Sequence, residues 1–184
     1  MEGKVVRFVK EQLRVNILSA MEYRVSFLSQ VLFMFLNDVL LLFFWWILFS
    51  KFDSVAGWQM KEVFLLYAMS AGAYGLAYAV AGNANRLSTI IAEGQLDYYL
   101  VLPKDVWLNV LISKSMISAV GDILFAVVLF IFVLGFSAKL LVALLCLIFA
   151  SIILISFTTI VHSLTFFLGN AEQIASVLTE AMLS

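Results

Sequence analysis

Long apolar runs alternate with short polar breaks along this chain, and one break is far longer than the rest. Apolar residues run almost without interruption over 25–49, 63–80, 117–136 and 140–168. About 20 consecutive apolar residues span the hydrocarbon of a bilayer as a helix, so each run reads as a membrane span. The first is longer than a bilayer needs, which predicts tilt or projection into the interface. Only residues 135–139 separate the last two, which makes them a tight antiparallel pair. Barrel strands would alternate apolar and polar positions over about ten residues, and nothing here does. The predicted fold is all-α: one transmembrane domain over 1–184, a polytopic helix bundle with four visible spans.

Two amphipathic segments flank the spans. Over residues 4–22, Val5, Val9, Leu13, Ile17 and Met21 recur every four positions, while Lys4, Arg7, Lys10, Glu11 and Arg14 fall elsewhere. That pattern predicts a helix lying in the membrane interface. It reads either as a basic anchor that sets topology or as a lever that moves with the long loop. Over 171–184 the stripe Ile174, Val177, Leu178, Ala181 and Met182 continues with Glu172 and Glu180 off it and no stop signal, as at the start of a further, truncated helix.

Composition fits lipid as the solvent: 64% of residues are hydrophobic and 12% charged, against about 45–50% and 25% in soluble domains. Near-zero net charge leaves no electrostatic footprint for nucleic acid. The single cysteine, Cys146, excludes an intramolecular disulfide and reads as a small buried hydrophobe. The amino-terminal apolar run is too long for a signal peptide and ends on Trp45, Trp46 and Lys51 rather than a small-residue cleavage site, so it is an uncleaved span. Lys and Arg collect on cytoplasmic loops. Placing the amino terminus and residues 83–114 on one side puts eight basic residues there, against Lys51, Lys61 and Lys139 on the other. That side is expected to be the cytoplasm, in the cytoplasmic (inner) cell membrane, with Trp45 and Trp46 near the outer interface as belt aromatics.

The long break, residues 83–114, has its own order. Arg86, Leu87, Ile90 and Ile91 carry helical spacing, and Gly94 is a C-terminal stop. Asp97, Tyr98, Tyr99 and Leu100 then read as an irregular linker ahead of Pro103, the only proline, which disfavours helix at its predecessor. Asp105 is placed to cap a helix that runs through Trp107, Leu108 and Leu111 into the third span. An interfacial helix resting on lipid would share these features.

Polar and small residues inside the spans have two readings each. Asn37 and Asp38 lie midway along the first span, where a carboxylate is costly unless protonated or paired. They mark either a substrate pathway or proton-sensitive group, or an interhelix hydrogen bond or contact with a partner. Asp122, near the start of the third span, is explained more simply by Lys114 on the same helix face, with either side chain snorkelling to the interface. The lone His162 lacks a second histidine, Cys or carboxylate at ligand spacing, so it reads as a hydrogen-bonded packing residue and no metal is expected. Ala68, Ala71, Gly72, Gly75, Ala79 and Gly82 form a small-residue stripe, the mark of close helix packing in lipid, within this chain or against a second copy. The Phe pairs 43–44 and 166–167 read as lipid-facing bulk.

The run Ile90-Ile91-Ala92-Glu93-Gly94-Gln95-Leu96-Asp97-Tyr98-Tyr99-Leu100-Val101-Leu102-Pro103 resembles the I-x-x-G-x-L-D-x-Y-L-x-x-P signature of permease subunits of type 2 ATP-binding-cassette exporters. The order of a basic amphipathic amino terminus, two spans, this loop and two spans is similar too. The resemblance implies that residues Arg86 to Gly94 (Leu87, Ile90, Ile91 and Glu93 among them) form a coupling helix docking on an ATPase subunit. The segment with Asp97, Tyr98, Tyr99 and Pro103 would be its support. It also implies a second permease copy or paralogue, and six spans, of which this chain shows the first four.

No G-x-x-x-x-G-K-[ST] phosphate loop occurs, and no nucleophile, base and acid set is evident. The chain is therefore expected to be no enzyme and to bind no cofactor, with ATP on a separate subunit. The competing readings are an ion-coupled secondary transporter or channel using Asp38 and Asp122, and a membrane scaffold whose loop recruits a soluble protein. The first of these predicts inverted repeats, which the two halves do not display.

Overall fold

A computed structural model describes residues 2–169 and 171–183, and among them all regular elements are helical. They are α1 (Glu2–Glu22), α2 (Arg24–Lys51), α3 (Met60–Val80), a 3₁₀ turn (Ala84–Arg86), α4 (Leu87–Ala92), α5 (Leu96–Leu100), α6 (Val106–Ile112), α7 (Ala119–Leu134), α8 (Ala138–Ser163), α9 (Thr165–Leu168) and α10 (Glu172–Leu183). Ser184, the last residue of the expected terminal segment, lies outside the described residues. The chain forms two compact units.

The first unit comprises residues 25–76 and 117–152. Its core is Phe64 and Ala68 on α3, Phe125, Ala126, Leu129 and Phe130 on α7, and Leu147 on α8. Outside that core the usual order of burial is inverted. Along α2, Asp38 is buried while Leu32, Phe33, Leu40, Phe43 and Phe44 are exposed. Phe132 is 80% and Phe136 90% exposed. Exposing one such side chain to water costs about 1.5–3 kcal/mol, so a surface made of them is stable only against lipid. Three helices, Arg24–Lys51, Met60–Val80 and the stretch Ala138–Leu168, are long and apolar enough to cross a membrane. The expected third span is shorter than its apolar run: α7 has 16 residues, about 24 Å of rise against a hydrocarbon core of about 30 Å.

Small residues make the packing of this unit possible. A Cβ on Gly75 would meet the Ala119 carbonyl oxygen at 2.7 Å and Asp122 Cβ at 2.9 Å, and one on Gly121 would meet the Val31 carbonyl oxygen at 2.5 Å. Gly72 faces Ala126 and Leu147, Ala68 is fully buried in the core, and Ala71 packs at its edge. The stripe is thus a seam within this chain. Trp46 is exposed and stacks on Phe43, but Trp45 packs against the core instead of standing free as a belt residue. Cys146 is exposed on α8, which corrects the expectation of a buried hydrophobe. It lies on a face that also exposes Phe149 and Val142, where a weakly polar thiol is tolerated as readily as in a core.

The second unit comprises residues 1–24, 77–116 and 153–184, and holds the long loop. The residues expected to form an irregular linker, 97–100, lie in a short helix, α5. Gly94, with φ +69°, makes the sharp turn between α4 and α5 that residues with a Cβ rarely adopt. Asp105 caps α6 as expected, its carboxylate accepting from the Leu108 amide at 2.8 Å. That helix does not run on into the third span. It stops at Ile112, and the Met116 amide instead donates to the Tyr78 carbonyl at 2.9 Å. Gly82 permits this, because a Cβ there would sit 2.7 Å from the Lys114 carbonyl oxygen and the Met116 nitrogen. Lys114 therefore does not share a helix with Asp122, and the snorkelling pair is not formed.

Candidate functional site

The loop holds itself together with a small core. Leu87 and Ile90 on α4 pack on Val110 of α6, flanked by Ile91, Leu96, Tyr99 and Val106. Leu87 and Ile90, named above within the coupling helix, lie inside this core, Leu87 fully buried and Ile90 4% exposed. The spacing of Leu87, Ile90 and Ile91 marks a buried face, and a short helix beside two others finds its cover there before any partner arrives.

The loop leaves both polar and apolar groups outside, the latter at Leu100, Val101 and Trp107. Arg86, Glu93, Gly94, Gln95, Asp97, Tyr98 and Pro103 are exposed, and Gln95 Nε2 donates to Glu93 Oε2 at 2.6 Å. Ile91 and Tyr99 are half-buried at the edge of the core. A cavity of about 290 Å³ opens beside them, with Asn83, Arg86, Gln95, Tyr99, Ser113 and Lys114 around it. Two cations and several neutral donors at one opening can accept a carboxylate from outside.

Side-chain amides fix this arrangement by capping α6. The last carbonyls of a helix have no partner in the helix itself. Asn83 Nδ2 donates to the Val110 carbonyl at 3.0 Å and to Ser113 Oγ at 2.7 Å, and Tyr99 Oη lies 3.0 Å from the same Ser113 Oγ. From α1, Asn16 Nδ2 donates to the Ile112 carbonyl and to Ser115 Oγ, each at 3.0 Å. Lys104 Nζ stands 4.2 Å from the centre of the Phe8 ring, a second tie between α1 and the loop. On helix α1 the predicted stripe is exposed at Val5, Ile17 and Met21 and half-buried at Val9 and Leu13, and Val6 and Leu18 beside it are exposed too. Asn83→Ala removes two of the bonds that close α6, and should cost about 1–2 kcal/mol. Limited proteolysis should then cut between 83 and 114 faster than in the wild type; an unchanged rate would show that the cap is dispensable.

A second tie runs from α4 to α8. Ser88 Oγ and His162 Nδ1 are 2.6 Å apart, with both residues buried, so His162 is a hydrogen-bonded packing residue. Helix α4 also packs on α9 and α10; Ala171 just before α10 is buried, and α10 turns Ala175 and Thr179 inward while Ile174, Val177 and Leu178 stay exposed. Sequence reasoning passed over Asn16, Asn83, Ser88 and Ser113. The first two act on carbonyls 96 and 27 residues away, a separation at which spacing gives no signal. Ser88 and His162 lie 74 residues apart and gave none.

Within the first unit Asp38 and Asp122 face each other, and Tyr67 Oη donates to Asp38 Oδ1 at 2.7 Å. Asn37 is exposed and has no part in this cluster. Among the described residues no group of three or more His, Cys, Asp or Glu side chains could hold a metal ion.

No curated protein and no solved structure matches the chain. The family model described as ABC-2 family transporter protein matches residues 35–184. Proteins of this family are membrane components of ABC-type transporters, and the family implies association with an ABC ATPase subunit. That match runs from the middle of α2 through the loop and both later apolar helices, so the chain belongs to the ABC-2 transporter family and is a multi-pass membrane permease.

Proposed function

We propose that this permease works in export, lining the translocation pathway with a second copy or a paralogue, and takes its power from a separate ATPase subunit through residues 83–114. In this reading the loop and the amino terminus lie in the cytoplasm. ATP closes the ATPase dimer, the loop is pushed, and alternating access follows as the two permease subunits rock. The observation that carries the reading is a loop folded around its own core, with a polar edge left exposed at Arg86, Glu93 and Gln95, the first two charged. A segment that only turned the chain around would need neither. The ties from Ser88 to His162 and from Asn16 to α6 support it, because a push on α4 reaches α8 through packed, hydrogen-bonded groups rather than a slack linker.

The docking edge is charged, so charge reversal tests it. Arg86→Glu combined with Glu93→Lys places like charges against a complementary partner, which should lower recovery of the ATPase subunit at least about tenfold. Membrane insertion and protease resistance should stay at wild-type levels, because both side chains are exposed. Full recovery of the ATPase with the doubly reversed permease would rule out this edge as the docking site. Sidedness is checked separately with Gln95→Cys in a Cys146→Ser background, needed because Cys146 is itself exposed. Labelling of the introduced thiol from the cell exterior would overturn the orientation and the coupling scheme together.

A further inference from the structure

The first unit buries two carboxyl groups where the apolar helices around them supply no counter-charge. Asp38 on α2 is 5% exposed and Asp122 on α7 1% exposed. The two lie close together: Gly121, next to Asp122, packs on α2 at Val31 and Met34, one turn before Asp38. Tyr67 of α3 donates its hydroxyl hydrogen to Asp38 Oδ1 at 2.7 Å. Asp38 Oδ2 and both oxygens of Asp122 have no hydrogen from any described residue. The glycines create the cluster: Gly121 brings α7 against the backbone of α2, and Gly75 brings α3 against Asp122.

No basic side chain reaches the cluster along the helices that build it. Asp38 is the one charged residue of α2 between Arg24 and Lys51, and Asp122 the one charged residue of α7. On α3 the charged groups are Lys61 and Glu62 in the first turn, and the remaining titratable groups are Tyr67, Tyr74 and Tyr78. Helix α8, which packs in the same unit, has no charged group between Lys139 and His162 and one thiol, the exposed Cys146. Two ionised carboxylates close together, away from water and without a cation, repel; one hydrogen between them turns the repulsion into a bond.

We propose that Asp38 and Asp122, with Tyr67, form a proton-binding site inside the membrane part of this permease, the two carboxyl groups sharing one proton. Tyr67 already donates to Asp38 Oδ1, while Asp38 Oδ2 takes no hydrogen from another described residue, so the shared hydrogen is assigned to Asp38 Oδ2 and Asp122. Binding takes one proton from the aqueous phase and changes the charge of the pair from minus two to minus one, and release returns it. A metal cation fits less well, since hard divalent ions take six or more oxygens and the two carboxyls with Tyr67 offer at most five. The inference does not depend on the export reading, because the site belongs to the permease alone.

Infrared difference spectroscopy of the purified chain in detergent, in H₂O and D₂O and from mildly acid to alkaline pH, tests it. The wild type should show the carbonyl band of a protonated carboxyl, shifted by deuterium and lost at alkaline pH. Asp122→Asn keeps the shape of the side chain and should abolish the band at neutral pH. Tyr67→Phe retains both carboxyls, so the band should persist while the pH of its loss moves. Should Asp122→Asn fail to insert, the Tyr67→Phe shift still decides the matter. A wild-type spectrum without a protonated carboxyl, a band unchanged in both variants, or its removal by sodium, potassium or calcium ions at fixed pH would overturn the proposal.

Discussion

Gly75→Val should cost this protein its folded bundle. A Cβ at Gly75 meets the Ala119 carbonyl oxygen at 2.7 Å and the Ile123 nitrogen at 2.9 Å, and both are backbone atoms that no rotamer change can move. Valine adds two further methyl groups to that space. Overpacking costs about 1–3 kcal/mol where side chains can yield and more where they cannot, so about 3 kcal/mol or more is expected. The gain in helix propensity on losing a glycine, about 0.5–1 kcal/mol, does not offset it. Gly72→Ala should be milder, because its nearest neighbours are the flexible end of Leu147 and the Ala126 methyl group. Thermal unfolding in detergent measures both. A Gly75→Val protein as stable as the wild type, or one more stable than Gly72→Ala, would mean that this seam is not packed as described.

Leu87→Asp should unfold the loop itself. The side chain is fully buried against Ile90 and Val110, and a charge left there without a partner costs several kcal/mol. The effect should exceed that of Ile90→Asp, because Ile90 borders the cavity that also holds Arg86 and Lys114, either of which can pair with a new carboxylate. Trypsin should then cleave within 83–114 in the membrane-inserted Leu87→Asp protein, and the ATPase subunit should be lost with the fold. The reversed edge residues behave differently, losing the ATPase while the loop resists protease. If Leu87→Asp loses the ATPase with the loop still intact, Leu87 contacts the partner and not the core of the loop.

The two substitutions mark where sequence reasoning stops. A period of four or three along Leu87, Ile90 and Ile91 says that these residues share a face and that the face is covered. It does not say by what. The cover turned out to be Val110, about twenty residues on, because α6 ends at Ile112 and folds back beside α4. That end depends on amides from Asn83 and Asn16 reaching the α6 carbonyls, contacts between residues 27 and 96 positions apart. Local spacing cannot register them. The stop at Gly94 and the cap at Asp105 were legible because both are local: one needs a residue tolerant of positive φ, the other an oxygen three residues from a free amide.

Membrane helices were legible for a stronger reason. Burial in hydrocarbon forces nearly every residue of a span to be apolar, so composition alone separates span from loop. By the same rule the few polar groups inside stood out, and Asp38 and Asp122 were visible as exceptions. Their meaning was not. Asp122 is eight residues beyond Lys114, which on an unbroken helix would bring the two to one face. The break over 113–118 cancels that relation, and Gly75 and Gly121 turn the carboxyl toward Asp38 and Tyr67 instead. Sequence by itself determined which segments seek lipid, where the long loop lies and which local signals start and stop its helices, since these follow from solvent preference and short-range hydrogen bonding. Tertiary structure alone decided which face of α4 is spent inside the chain and which carboxyl meets which, because both depend on how closely two backbones approach.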